Sequence, residues 1–190
     1  MTPPYEILSD HKVGSVKRSV NVRIQDRISP DDVNAIAEAI HAVDTNSYER
    51  TFIGLYLPHQ QDLGAGCWAT AHSKPDREIQ ILGMTAERAE EFRACAPEDG
   101  QNVIGRWIND YPNVASAITI YESDSNYFMT NTYGDGSGGT YEMDLAQNGE
   151  GQEFRRRDRP SSNDYWLVRG DGGLEIRDSD GLISTPQRVG

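Results

Sequence analysis

The segment that decides the fold is AITIYESDSNYFMTNTYGDGSGGTYEMDL, residues 117–145. It contains three short strand-like runs, at 117–122, 126–132 and 140–145, and in the last of them polar and apolar side chains alternate. Ser123-Asp124-Ser125 and the glycine-rich residues 134–139 separate these runs. Alternation with a period of two indicates strands, and short polar connections make neighbouring strands antiparallel. The segment therefore predicts an antiparallel β-meander.

The same pattern continues on both sides of this segment. Further strands are predicted at residues 104–108, 154–157, 164–169, 174–177 and 182–184, with glycine-containing turns at 170–173 and 179–181. The polar, turn-prone residues 98–102 mark a boundary in front of the first of these strands. We therefore predict a domain at residues 103–190 that is an all-antiparallel meander, either an open sheet or a small barrel.

Residues 1–98 predict a different domain, of the α+β type. Ser29 and Pro30 are typical of an N-cap and a first helical turn, and they indicate a helix from about residue 31 to 43. Strands are predicted at 5–8 and 16–28 before this helix and at 50–57, 66–73 and 78–82 after it, followed by a second helix at 85–95. The order β-β-α-β-β-β-α predicts a sheet with helices on one face.

The distribution of charge is the clearest functional feature of the sequence. Between Trp107 and Phe154 there are eight carboxylates and no Lys, Arg or His, and the run Arg155-Arg156-Arg157-Asp158-Arg159 follows directly. The whole chain has 30 acidic and 18 basic residues, which gives a net charge of −12. Nucleic acid and anionic membranes bind through cationic groups, so neither is expected as a direct partner. A field of one sign steers partners of the opposite sign, and a basic protein is therefore expected.

The leading hypothesis is a non-enzymatic module that binds a basic protein through an acidic face. The candidate partner-binding residues are Tyr121, Glu122, Asp124, Glu142 and Asp144. Tyr121 is out of phase with the apolar positions of its strand, so it is expected to be exposed beside Glu122. Exposed tyrosines are frequent anchors at protein interfaces. Such a face is suited to occupy a nucleic-acid-binding groove, as in an acidic inhibitor of the immunity or anti-defence type.

The basic run at residues 155–159 has three interpretations. It pairs with the acidic residues of the same sheet, contacts nucleic acid locally, or binds an acidic partner. Opposite charges on adjacent strands support a sheet by about 0.2–1 kcal/mol per pair, so intramolecular pairing is the expectation.

A second hypothesis concerns the start of the meander, Gly105-Arg106-Trp107. These residues resemble the Gly-x-Trp that begins the first strand of lipocalins and related small-ligand barrels. The resemblance implies that Trp107 closes one end of a sheet or small barrel. The alternative function is therefore binding of a small ligand inside the meander, with Trp107 and Trp166 lining the cavity.

A third hypothesis is an enzyme that uses the paired carboxylates Glu142 and Asp144, or Cys67. His72 follows Cys67 by five residues, an odd offset that puts the two side chains on opposite faces of a strand. The spacing of the histidines predicts no zinc site, and the sequence predicts no cofactor. Two cysteines, no signal sequence and no long apolar run together predict a cytoplasmic protein. The oligomeric state is left open.

Overall fold

The computed structural model describes residues 2–44, 46–74 and 76–189. The chain divides into two compact units, Met1–Ala86 and Glu87–Gly190, hereafter the first unit and the second unit. Within the described ranges the first unit holds a five-stranded mixed sheet and the second a nine-stranded antiparallel sheet. The elements follow the predicted β-β-α-β-β-β-α order and then a meander, so the predicted α+β fold class is confirmed.

The first unit is a sheet with the strand order β1-β2-β3-β4-β5. Its elements are β1 (Tyr5–Val13), β2 (Lys17–Ile24), α1 (Pro30–Ala42), β3 (Arg50–Tyr56), β4 (Ala69–Lys74) and β5 (Asp76–Ile81). β2 and β3 are parallel, and α1 forms the crossover connection that parallel neighbours require. The other pairs are antiparallel. The core forms where one face of the sheet meets the buried stripe of α1, which consists of Val33, Ile36, Ala37 and Ile40. As predicted, Ser29 is the N-cap of this helix.

A network of charged side chains lies at the edge of this core, around the buried Arg18. The Arg18 side chain is 3% exposed, and its guanidinium donates to both carboxylate oxygens of Asp10, at 3.1 and 2.9 Å. It also donates to the carbonyl oxygen of Ile40, in the last turn of α1, at 3.1 Å. The carboxylate of Asp44 lies 3.6 Å from Arg18 and 2.8 Å from the Lys12 ammonium. Arg18 thereby ties β1 and β2 to the end of the helix.

This network makes the stability of the first unit depend on pH. The hydrogen bond from Arg18 lowers the pKa of Asp10, and the hydrogen bond from Lys12 lowers the pKa of Asp44. A pKa below the unfolded value of about 3.9 contributes stability that is present above that value and is lost as the pH falls through the folded pKa. We therefore expect the urea midpoint of the first unit, followed at the Trp68 indole, to fall between about pH 5 and pH 2. Asp10→Asn combined with Asp44→Asn should flatten this dependence, and an equally steep fall in that variant would contradict the assignment.

The second unit is a long meander that bends back on itself. Its elements are α2 (Ala86–Ala94, which begins one residue before the unit), β6 (Asn102–Asn109), β7 (Ser116–Ser123), β8 (Asn126–Tyr133), β9 (Gly138–Asn148), β10 (Gly151–Arg156), β11 (Tyr165–Arg169), β12 (Leu174–Asp178), β13 (Gly181–Ser184) and β14 (Gln187–Arg188). β14 was not predicted; it pairs with β6, whereas β13 pairs with β12 at the other end of the sheet. Three Cα steps from Ser184 to Gln187 span at most about 11 Å, so the two ends of the sheet come close together.

Trp107 lies on the concave face that this bending creates. Its side chain is fully buried, and its Nε1 donates to the carbonyl oxygen of Gly172, in the β11–β12 turn, at 3.0 Å. A Cβ atom on Gly105 would overlap the Trp107 ring, which explains why glycine stands two residues before it. The contact with Gly172 places Trp107 between the first strand of the meander and a turn near its other end.

The helix α2 belongs with the second sheet by its contacts. The Arg106 guanidinium, on β6, lies 4.3 Å from the centre of the Phe92 ring and donates to the Phe92 carbonyl oxygen. The predicted domains, 1–98 and 103–190, differ from the two units in where they put this helix. Within the described part of the chain, Ala89 is the single buried residue of this helix. Its sequence therefore has no apolar stripe that would predict what the helix packs against.

Candidate functional site

A cavity of about 170 Å³ opens on the concave face of the second unit. It is lined by Met129, Asn131, Tyr133, Tyr141, Arg156, Arg159, Ser162, Asp164 and Trp166. Strand alternation explains the set, because the lining residues of β8, β9, β10 and β11 share the phase of the buried core residues Met129, Met143, Phe154 and Val168. The remaining residues come from the connection between β10 and β11.

One wall of the cavity is a stacked pair of side chains. The Arg156 guanidinium lies 3.5 Å from the centre of the Tyr141 ring. It also donates twice to the Asp158 carboxylate, at 2.9 and 2.6 Å, and this contact raises the pKa of Arg156 and lowers that of Asp158. Because the charge of Arg156 is already paired, this side chain serves as a flat, fixed wall and not as an anion receptor.

Two buried polar atoms of residues that line the cavity have no hydrogen-bond partner among the described residues. Trp166 Nε1 and Asn131 Oδ1 are both buried and make no hydrogen bond within the described part of the chain. The other two indoles contrast with Trp166, because Trp68 Nε1 donates to Met84 at 2.8 Å and Trp107 Nε1 donates to Gly172 at 3.0 Å. A buried polar group without a partner costs about 1–3 kcal/mol. Both atoms have almost no accessible surface, so they lie behind the wall of the cavity and not at its surface.

The rim of the cavity carries one charge of each sign. Arg159 and Asp164 are exposed, and neither side chain makes a hydrogen bond or ion pair with another residue in the described ranges. Tyr133, 39% exposed, and Ser162 complete the rim. The rim is therefore polar and close to neutral, and the interior combines Met129 and aromatic rings with the polar side chains of Asn131 and Arg156.

Only some of the five predicted partner-binding residues come together. Tyr121 and Glu142 flank Phe128 in one cross-strand row, on the face opposite the core. The predicted exposure of Tyr121 is wrong: its side chain is 8% exposed and stacks on Phe128 with ring centres 5.6 Å apart. Glu122 follows Tyr121 on β7 and therefore lies on the opposite face of the sheet. Asp124 lies in the β7–β8 turn, with a φ of 49°.

Glu142 and Asp144 are joined by an arginine of the basic run. Arg157 Nε donates to Asp144 at 2.9 Å, and Arg157 Nη1 donates to Glu142. Arg155 likewise pairs with Glu153 at 2.7 Å. These contacts confirm the expected intramolecular pairing of the basic run. The carboxylates of the predicted acidic face are therefore partly neutralised by their own sheet.

The structure shows where the residues named in the ligand and enzyme hypotheses lie. Trp166 lines the cavity as predicted, whereas Trp107 does not and is instead part of the core. Cys67 and Cys95 are free, and burial raises the pKa of the Cys67 thiol, which makes it a weaker nucleophile at neutral pH.

Among the described residues, no group of three or more His, Cys, Asp or Glu side chains is placed to hold a metal ion. No helix in the described ranges is long and apolar enough to cross a membrane.

Comparison of the chain with protein-family models, with curated proteins and with solved structures gave no match. The resemblance to lipocalins therefore stands on Gly105, Trp107 and the meander pattern alone.

Proposed function

We propose that the second unit binds a small polar molecule in the cavity on the concave face of its sheet. The observation that carries this proposal is the cavity itself, whose wall combines the rings of Tyr141 and Trp166 with the Arg156 guanidinium. Concave pockets that combine aromatic surface with a few placed polar groups are the usual form of a ligand site. The free thiols Cys67 and Cys95 favour the cytoplasm as its location.

The size of the cavity limits the ligand. A cavity of 150 Å³ in an engineered protein holds one benzene ring, so about 170 Å³ accommodates a single ring or a short chain. The neutral balance of the rim, with Arg159 opposed by Asp164, argues against a strongly charged ligand. We therefore expect neutral fragments of one ring to bind in preference to anions of the same size.

Blocking the cavity tests the proposal. Ser162→Phe puts a ring at the rim, whereas Ser161→Phe makes the same change at the preceding residue, which is exposed and does not line the cavity. Saturation-transfer NMR with a set of single-ring fragments should detect bound fragments with the native chain and with Ser161→Phe, and lose them with Ser162→Phe. Equal signals for the two variants, or no bound fragment at all, would contradict the proposal.

A second candidate is the acidic module that binds a basic protein. It is favoured by the charge of residues 87–190, which contain 19 acidic and 10 basic residues. If this candidate is right, Glu142→Gln with Asp144→Asn should reduce retention of a basic protein from a cell lysate at low salt. The matched variant Glu98→Gln with Asp99→Asn removes the same charge elsewhere in the unit and should not. Equal retention by both variants would remove Glu142 and Asp144 from the proposed interface.

A further inference from the structure

The two charged side chains on the rim of the cavity restrict the chemistry of its ligand. Arg159 and Asp164 are exposed, and in the described ranges they form no ion pair with each other or with a third residue. Two opposite charges that stay apart at one cavity offer a guest one cationic and one anionic contact. From this pair, and resting on the proposed function, we infer that the ligand is an α-amino acid with an apolar side chain. Its carboxylate meets Arg159, its ammonium group meets Asp164, and its side chain enters the cavity.

Hydrogen bonds within the β10–β11 connection hold the two charges at the cavity. Residues 159–162 form a turn, in which the Ser162 N–H donates to the Arg159 carbonyl oxygen at 3.0 Å. Pro160 suits the second position of this turn, because its φ is fixed by its ring. The Asp164 N–H donates to Ser162 Oγ at 3.2 Å. Arg159 and Asp164 are thus tied to the same residue, and both line one cavity of about 170 Å³, so one small molecule can reach both.

The third charged residue of the cavity lining is already engaged within the protein. Arg156 donates twice to the Asp158 carboxylate, at 2.9 and 2.6 Å, and its guanidinium lies on the Tyr141 ring. This contact also occupies Asp158, the carboxylate next to Arg159 in the chain. Arg159 is therefore the cation of the lining whose charge is left for a guest. A guanidinium suits a carboxylate because it can donate two parallel hydrogen bonds.

The interior of the cavity suits one apolar side chain. Tyr141 and Trp166 supply aromatic surface, and Met129 supplies a flexible thioether that adapts to the shape of a guest. Because a cavity of about 150 Å³ holds a benzene ring, the ring of phenylalanine fits inside. The two charged groups of an amino acid are joined to one carbon, so they stay together at the exposed rim. There water still reaches them, and neither charge has to be fully desolvated.

Phenylalanine and two of its derivatives form a matched set of probes. N-acetylphenylalanine lacks the ammonium group and phenylalaninamide lacks the carboxylate, whereas all three carry the same ring. We expect phenylalanine to shift the indole N–H signal of Trp166 in the ¹H–¹⁵N spectrum of the full chain at low salt, because Trp166 lines the cavity. Each derivative should bind about three- to fivefold more weakly, which is the contribution of one exposed ion pair.

Variants of the two rim residues test each contact separately. Asp164→Asn should weaken the binding of phenylalanine and phenylalaninamide about three- to fivefold, but change that of N-acetylphenylalanine less than about twofold. Arg159→Gln should weaken the binding of phenylalanine and N-acetylphenylalanine and spare phenylalaninamide. Asp180→Asn is the control, because it removes an exposed carboxylate from the β12–β13 turn, outside the cavity lining. It should change the affinity for all three probes less than about twofold.

The outcomes separate the ligand class from the site. Tighter binding of phenylalanine than of both derivatives, together with the selective effects of Asp164→Asn and Arg159→Gln, supports the α-amino acid. If a derivative binds as well as phenylalanine, if each variant weakens all three probes alike, or if phenylalanine does not bind, the amino acid is overturned. Binding of the single-ring fragments would then leave the cavity as a binding site. If the fragment set also fails, the proposed function is overturned as well.

Discussion

Arg18→Met is expected to lower the free energy of unfolding of the first unit by about 2–3 kcal/mol. The Arg18 side chain is 3% exposed and donates to the Asp10 carboxylate and to the carbonyl oxygen of Ile40. Methionine fills a similar volume but leaves Asp10 without its cation and the end of α1 without a donor. The loss comes mainly from the Ile40 carbonyl oxygen, a buried acceptor left without a donor, because Asp10 is exposed and remains partly hydrated.

The measurement is a urea titration of the full chain, followed at the Trp68 indole N–H signal, because Trp68 is buried in the core of the first unit. Arg93→Met is the matched control. Arg93 pairs with Glu90 on the surface of α2 at 3.4 Å, and exposed pairs of this kind contribute about 0.2–1 kcal/mol. A loss below about 1 kcal/mol for Arg18→Met would show that the network does not hold the first unit together.

Trp107→Ala is expected to lower the free energy of unfolding of the second unit by about 3–5 kcal/mol. Trp107 is fully buried among Ile118, Met129 and other core residues, and its Nε1 reaches Gly172 from β6. The substitution leaves a cavity in the core and removes the contact that joins the first strand of the meander to the β11–β12 turn.

With a urea dependence of about 1–3 kcal/mol per molar, the midpoint of the Trp166 signal should fall by roughly 1–5 M. Leu182→Ala, on β13, is the control, because this side chain is 58% exposed and its truncation should change stability by less than about 0.5 kcal/mol. An unchanged midpoint for Trp107→Ala would show that Trp107 does not stabilise the core of the second unit.

Local patterns account for the correct part of the fold prediction. Residues 117–145 carry both signals of a meander, alternation and turn residues, and the structure places β7, β8 and β9 there. Ser29 and Pro30 mark the start of α1 in the same way. Each of these signals depends on a few neighbouring residues, so it can be recognised in the sequence without knowledge of the tertiary contacts.

The strand β14 and the partner of α2 could not be predicted in this way. Gln187 and Arg188 form a strand only because β6 lies beside them, a contact between residues about eighty positions apart. The packing of Phe92 against Arg106 is equally a property of the folded unit. The two-residue length of β14 gives no alternation to detect.

The candidate site could be predicted from the sequence only in part. Asn131 and Arg156 are polar residues in the phase of the core, and this mismatch is visible in the sequence once the strands are assigned. The acidic residues are the more conspicuous feature of the sequence, and inward positions of a strand normally belong to the core. Their convergence with Trp166 at one cavity depends on the curvature of the sheet. No pattern within a single strand encodes that curvature.

A crystal structure of the full chain soaked with the single-ring fragment that binds most tightly tests the central claim most directly. The account predicts a ring in the cavity, in contact with Tyr141 and Trp166. A structure in which protein side chains fill the cavity, or in which the cavity stays empty at a saturating fragment concentration, would contradict it.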